Sequence, residues 1–152
     1  MKIAIPAETE QGEPRVAATP DTVKRYAGLG AKVAVEKGAG VKSGVLDADY
    51  QSAGAEIGSA VVKDADIVLK VRRPTKAELA SYKPGALVIS IMDPYGNDAA
   101  LADMAAAKVN AFAMEFMPRI TRAQSMDVLS SQANLAGYKA VIDCAAYFGQ
   151  AM

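Results

Sequence analysis

The 152-residue sequence has no histidine, no tryptophan and a single cysteine, Cys144. Without histidine the chain lacks the side chain that titrates near neutral pH and the commonest zinc ligand. Ser-His-Asp and Cys-His catalysis are therefore excluded, and no metal is expected. One cysteine cannot close an internal disulfide, so a reduced cytosol is the expected setting. Charge of one sign is not in excess either: 17 Lys and Arg balance 17 Asp and Glu. Nucleic-acid binders draw on a basic excess to displace condensed counterions, so no nucleic-acid partner is expected.

Long apolar runs are also missing. The charge-free stretches 84–92 and 128–138 fall short of the roughly 18 apolar residues that a spanning helix needs. The opening Met1-Lys2-Ile3-Ala4-Ile5-Pro6 has no secretory apolar region and reads as a first strand.

What is present alternates. Lys2–Ile5 is an expected strand, and Glu8 to Arg15 is too rich in charge and chain breakers to be core. Thr19-Pro20-Asp21 is a helix start: a capping hydroxyl, a proline at the first helical position and an acid facing the dipole. Val23, Tyr26 and Ala27 form its apolar face, and Gly28 or Gly30 ends it. Strands are expected over 31–36, 65–71, 85–92 and 109–114, making five with the first. Helices are expected from 46, over 74–82, and from Asn97 to Lys108 with Leu101, Met104 and Ala105 inward. The last helix runs from about Asp127 to Gln150, with Leu129, Ala133, Ala136, Ala140, Cys144 and Tyr147 at helical spacing. It meets the chain end at Gly149–Met152, which suggests a terminal arm or a truncation. Strands separated by helices give a doubly wound α/β fold: a mostly parallel sheet, helices on both faces, Rossmann-like or flavodoxin-like in strand order, ending in a long helix.

Three groups of residues could carry chemistry. Gly38-Ala39-Gly40-Val41-Lys42-Ser43-Gly44 follows a strand, but its third glycine is one place too late for a dinucleotide fingerprint, and it reads as tight turns. Arg15 lies just after the first strand, and Lys70 interrupts the apolar run 67–71. A lysine there must reach solvent or find an anion, so a keto-acid or other anion contact stands beside a strand-end charge. Arg72 and Arg73 are expected to be solvated. The third group is the polar segment from Glu115 to Gln132, which passes Pro118 and approaches the last helix. Gln124 can donate to and accept from a planar carboxamide, and Arg119 can fork to Asp127 and hold the segment shut. The alternative is a capped helix, with Asp127 or Ser125 as cap and the arginines on the surface.

Pro118-Arg119-Ile120-Thr121-Arg122-Ala123-Gln124-Ser125-Met126-Asp127, followed by Leu129-Ser130-Ser131-Gln132-Ala133-Asn134-Leu135-Ala136-Gly137-Tyr138, resembles the alanine dehydrogenase/transhydrogenase N-terminal domain family. Within it, the likeness is to the alpha subunits of proton-translocating NAD(P) transhydrogenases. Ile3–Pro6, Arg15–Pro20, Val35–Gly40 and Leu69–Val71 fit the same pattern, so the resemblance extends over essentially the whole chain.

The resemblance implies an N-terminal domain over 1–126 and a connecting helix over 127–152, leading to an NAD-binding Rossmann lobe that would begin beyond this sequence. NAD(H) would bind here and NADP(H) on a partner component, with hydride passing between them and coupled to proton translocation. Partners would be the NADP(H)-binding and membrane-spanning components, and the NAD component would be a homodimer. The expected location is the cytoplasmic side of the inner membrane, held through partners. Arg119, Gln124 and Asp127 match the family's loop over the nicotinamide; Ile120, Thr121 and Ser130 complete the expected cofactor set. Alanine dehydrogenases share the fold and use an arginine and a lysine on the keto acid, which Arg15 and Lys70 match. They also use a histidine, in a neighbourhood that here reads Met92-Asp93-Pro94-Tyr95. An amino-acid oxidoreductase and a non-catalytic oligomerisation or docking module are the alternatives.

Overall fold

A computed structural model describes residues 1–149. The chain divides into two compact units, Met1–Ala113 and the segment from Met114 onward.

The first unit is a doubly wound parallel sheet. Its strands are β1 (Lys2–Ile5), β2 (Lys32–Glu36), β3 (Glu56–Gly58), β4 (Ile67–Arg72), β5 (Leu87–Ile91) and β6 (Asn110–Ala113). They lie in the order β3-β2-β1-β4-β5-β6, and every pairing is parallel. This is the Rossmann order and not the flavodoxin one. Six strands replace the expected five. The additional one, β3, is a three-residue edge strand of Glu, Ile and Gly, half-buried at most. An edge strand needs no buried alternation, so no hydrophobic period marks it.

Alternation explains why both faces are covered. Ile3, Ile5, Val33 and Val35 point to one side, where Val23 of α1 (Pro20–Gly28) and Tyr50 of α2 (Asp47–Ser52) pack. Ala4, Ala34, Val68 and Val88 point to the other, against Leu79 of α3 (Lys76–Leu79) and Met104 of α4 (Asp98–Ala106). Thr19 caps α1 by accepting from Thr22 N, as its sequence predicts.

Two details of α4 differ from expectation. Only Met104 of the expected inward trio is buried, because the helix meets the sheet along a narrow stripe. Asn97 stands at the cap position, but its side chain bonds to Arg73 and the Asp93 carbonyl instead of to α4.

In the second unit the chain makes short 3₁₀ segments at Met114–Phe116 (one turn) and Thr121–Met126 (two turns), then α5 (Val128–Tyr147). Twenty residues span about 30 Å. The expected start at Asp127 is its cap; the expected end at Gln150 lies outside the described residues. None of α5 is buried, so Leu129, Ala133, Ala136, Ala140, Cys144 and Tyr147 are not a core stripe. No helix among the described residues is long and apolar enough to cross a membrane.

Candidate functional site

β4 carries a bulge. Leu69 pairs with Ile89 and Arg72 with Ile91, so Lys70 and Val71 together stand opposite Ser90. The Glu8 carboxylate, from the loop after β1, fills the disrupted edge: Val71 N donates to it at 2.6 Å and Arg72 N at 3.4 Å. Alternation points Lys70 to the same side as Val68. Its ammonium bonds to Glu78 of α3 at 2.5 Å and lies 3.6 Å from Glu8, with all but 1% of the side chain buried.

Lys70 thus finds anions within the protein and does not reach solvent as the strand-end charge considered from sequence. Burial pushes the Glu8 carboxyl above its ordinary range, opposed by the Val71 N–H and Lys70. Burial acts the same way on Glu78, but bonds from Lys70 and Thr75 outweigh it and leave that carboxyl lowered.

The loop after β1 supplies a second buried carboxylate. Glu13 accepts from Arg15 Nε at 2.7 Å, from Arg15 Nη2 at 2.6 Å and from Arg72 Nε at 3.0 Å. The Arg15 bonds come first among the causes that lower its carboxyl to about 2. Glu8 and Glu13 are both buried, correcting the view of 8–15 as wholly outside the core. Their partners make burial tolerable.

Arg72 is half-exposed but ion-paired. Arg73 donates to the carbonyls of Met92 and Asp93 and to Asn97, so it is a brace across loops and not a solvated charge. Lys70, Arg72, Arg73, Glu8 and Asp93 border a cavity of about 390 Å³ at this end of the sheet. Its charges are largely answered from within the fold.

The glycine-rich loop is structural. Gly38 N donates to Asp47 at 2.8 Å, so that amide is not offered to a phosphate. A Cβ on Gly40 would stand 2.7 Å from Tyr50 Cε2 and 2.8 Å from the Val45 carbonyl. Glycine here admits the buried Tyr50 ring, whose hydroxyl reaches the Ala18 carbonyl at 2.8 Å.

The second unit gathers the remaining candidates. Arg119, Ile120, Thr121, Gln124, Asp127 and Ser130 line one cleft of about 280 Å³. The tight turns of Thr121–Met126, anchored by buried Ala123, return the chain so that residues on both sides of the segment meet. Asp127 caps α5, accepting from Leu129 N at 2.9 Å, Ser130 N at 3.2 Å and Ser130 Oγ at 2.6 Å.

The expected Arg119–Asp127 fork is not formed, because the helix end and Ser130 take both carboxylate oxygens. Bonds from Ser130 lead in holding the Asp127 carboxyl below its ordinary range, and Arg119 adds a lesser pull. The Gln124 carboxamide makes no hydrogen bond among the described residues; its backbone carbonyl accepts from Asp127 N. A planar amide that both donates and accepts therefore faces a cleft bordered by an arginine and two hydroxyl groups.

The alanine dehydrogenase/PNT N-terminal domain profile matches residues 4–136. The chain belongs to this family. In Rhodospirillum rubrum, the polypeptide named as the first portion of NAD(P) transhydrogenase subunit alpha is 48% identical over 159 aligned residues, covering 99% of this chain and 41% of that protein. The crystal structure of transhydrogenase from Sinorhizobium meliloti superposes with a TM-score of 0.96 at 54% identity, covering 99% of this chain and 46% of that one. An L-alanine dehydrogenase structure gives a TM-score of 0.72 at 26% identity, covering 76% of this chain and 32% of that one. The chain therefore spans less than half the length of these members of the family.

Proposed function

We propose that this chain is the first lobe of the NAD(H)-binding component of a proton-translocating NAD(P) transhydrogenase, with the cleft of the second unit receiving the nicotinamide end of NAD(H). The observation that carries this reading is the convergence of Arg119, Ile120, Thr121, Gln124, Asp127 and Ser130 on one cleft, in a chain 48% identical to a protein named for that activity.

The residues present suit the cofactor. Gln124 has an unengaged carboxamide, which complements a nicotinamide carboxamide in both donor and acceptor. Arg119 lines the same cleft without an ion-pair partner within 4 Å among the described residues. When bound, NAD(H) supplies the carbon that gives up or accepts hydride. What remains for the protein is positioning, since hydride transfer between two rings requires approach to about 3–3.5 Å with aligned faces. In this reading Gln124 orients one ring by its amide plane, and Asp127 fixes the first turn of α5 and the Ser130 hydroxyl beside it. Neither task needs a histidine.

Residues 127–152 would lead to a second lobe holding the rest of the dinucleotide. NADP(H) would sit on a partner component, and a membrane-spanning component would couple transfer to proton movement. A homodimer of the NAD component, peripheral on the cytoplasmic side of the inner membrane, completes the reading.

The amino-acid dehydrogenase reading finds less support. Lys70 is engaged by Glu8 and Glu78, and Met92, in the neighbourhood where a histidine would be needed, is buried. A pyruvate- and ammonia-dependent oxidation of NADH separates the two. The proposed reading is tested directly by NMR of the NAD(H)-binding protein with both lobes. Nuclear Overhauser contacts from nicotinamide ring protons to the Gln124 side-chain amide support it. A bound cofactor showing contacts elsewhere and none to Gln124 contradicts it.

A further inference from the structure

Helix α5 is the longest element among the described residues, and none of it is buried. Its uncharged polar side chains lie near its start, at Ser130, Ser131, Gln132 and Asn134. Over 135–148 the only charges are Lys139 and Asp143, which pair with each other at 2.6 Å. At about 100° per residue these two share with Gln132 a stripe about 40° wide. The rest of the circumference, about 280° from Ala136 round to Ala146, carries no charge.

That arc has two sides of different shape. Ala133, Gly137, Ala140 and Cys144 make one side small, so that another backbone can come close to it. Tyr138, Val141, Ile142 and Phe148 make the other side bulky, with Tyr138 69% and Val141 64% exposed. Where the sides meet, Val141, Cys144 and Phe148 border an apolar hollow of about 460 Å³. A helix that faces a core on one side needs an apolar stripe of about 100°, whereas one that is apolar nearly all round belongs inside a larger body.

The surface narrows what can cover it. Lipid suits it poorly, because an interfacial helix opposes a strongly basic face to its apolar one, and α5 has a single lysine that is already paired. A second copy of the chain, related by a twofold axis, would lay one stripe of α5 on its equivalent and leave most of the arc in water. The covering has to come from more than one direction, as further polypeptide of the same molecule can. The Rhodospirillum rubrum relative has more than half of its length outside the matched part.

We infer that α5 is an internal helix of a longer protein. Its small and bulky sides are enclosed by the polypeptide that the relatives carry outside the part matched here, and only the Lys139–Asp143 stripe stays in water. The inference rests on the reading that a second lobe follows, and not on what either lobe binds.

Cys144, the single thiol of the sequence, lies on the small side of the arc and is exposed, so its reactivity reports on the covering. Maleimide labelling, read by mass spectrometry of the Cys144 peptide, is compared between the 152-residue chain and the protein with both lobes. Labelling should be about 100-fold slower in the two-lobed protein, at every protein concentration. Val141→Asp should restore most of the labelling there, while Lys139→Ala should leave the protection intact. Hydrogen-exchange protection retained across β1, β4 and β5 checks that the Val141→Asp protein is folded. Equal labelling of the two proteins, protection lost on dilution, or protection indifferent to Val141→Asp in the folded protein overturns the inference. Cofactor contacts to Gln124 are read separately: their absence beside a protected Cys144 removes the cofactor reading and leaves this one standing.

Discussion

Ser130 is bonded twice to Asp127, its amide to one carboxylate oxygen at 3.2 Å and its hydroxyl to the other at 2.6 Å. The pair fixes the first turn of α5 and one wall of the cleft at once. Asp127→Ala should therefore abolish hydrogen-exchange protection at Leu129 and Ser130, while Asp127→Asn, which keeps an accepting oxygen, should retain much of it. Equal protection in both variants would show that the cap does not hold this turn.

Lys70 holds the buried carboxylate of Glu8 and the half-buried one of Glu78. Lys70→Met leaves Glu8 and Glu78 facing one another without a cation. Urea denaturation should show a loss of about 3–5 kcal/mol. Adding Glu8→Gln to that variant removes one buried charge and should recover part of the loss. A Lys70→Met protein within about 1 kcal/mol of the parent would mean that the cluster relaxes into water.

Glu13 carries a pH signature. Its carboxyl stands at about 2 in the folded protein, against an ordinary 4.5, chiefly through Arg15. A carboxyl with a lower value folded than unfolded contributes stability above pH 4.5, and that contribution fades as pH falls toward 2. Because Arg15 and Arg72 are partly exposed, the contribution is discounted to about 1–2 kcal/mol. Glu13→Gln should be less stable than the parent by that amount at pH 7 and indistinguishable near pH 2. A difference unchanged between the two pH values would assign its role to packing.

The parts of this fold that sequence makes legible are those governed by neighbours in the chain. Thr19-Pro20-Asp21 specifies a helix start whatever surrounds it, and the continuous run 85–92 holds a strand, though β5 lies second from the edge of the sheet and not at its centre. Edge strand β3 carries no period because little of it is buried. Lys70 shows a different limit: its burial is visible in the apolar run, but its partners are not. Glu8 answers Val71 across 63 positions, and in sequence it belongs to a stretch dominated by charge and proline. The cleft residues are legible as a group from the family resemblance. Their hydrogen bonds are not, since Asp127 serves both as a candidate partner for Arg119 and as a helix cap, and the backbone amides of α5 outcompete the guanidinium.

The central claim is that Gln124 orients a redox ring. It is tested most directly by single-turnover hydride transfer in the assembled enzyme carrying Gln124→Asn, alongside NADH titration of the same protein. Shortening the side chain by one methylene should misplace the ring and slow transfer by about 100-fold, with NADH affinity reduced only a few-fold. A transfer rate equal to that of the parent, with NADH bound, would contradict the account.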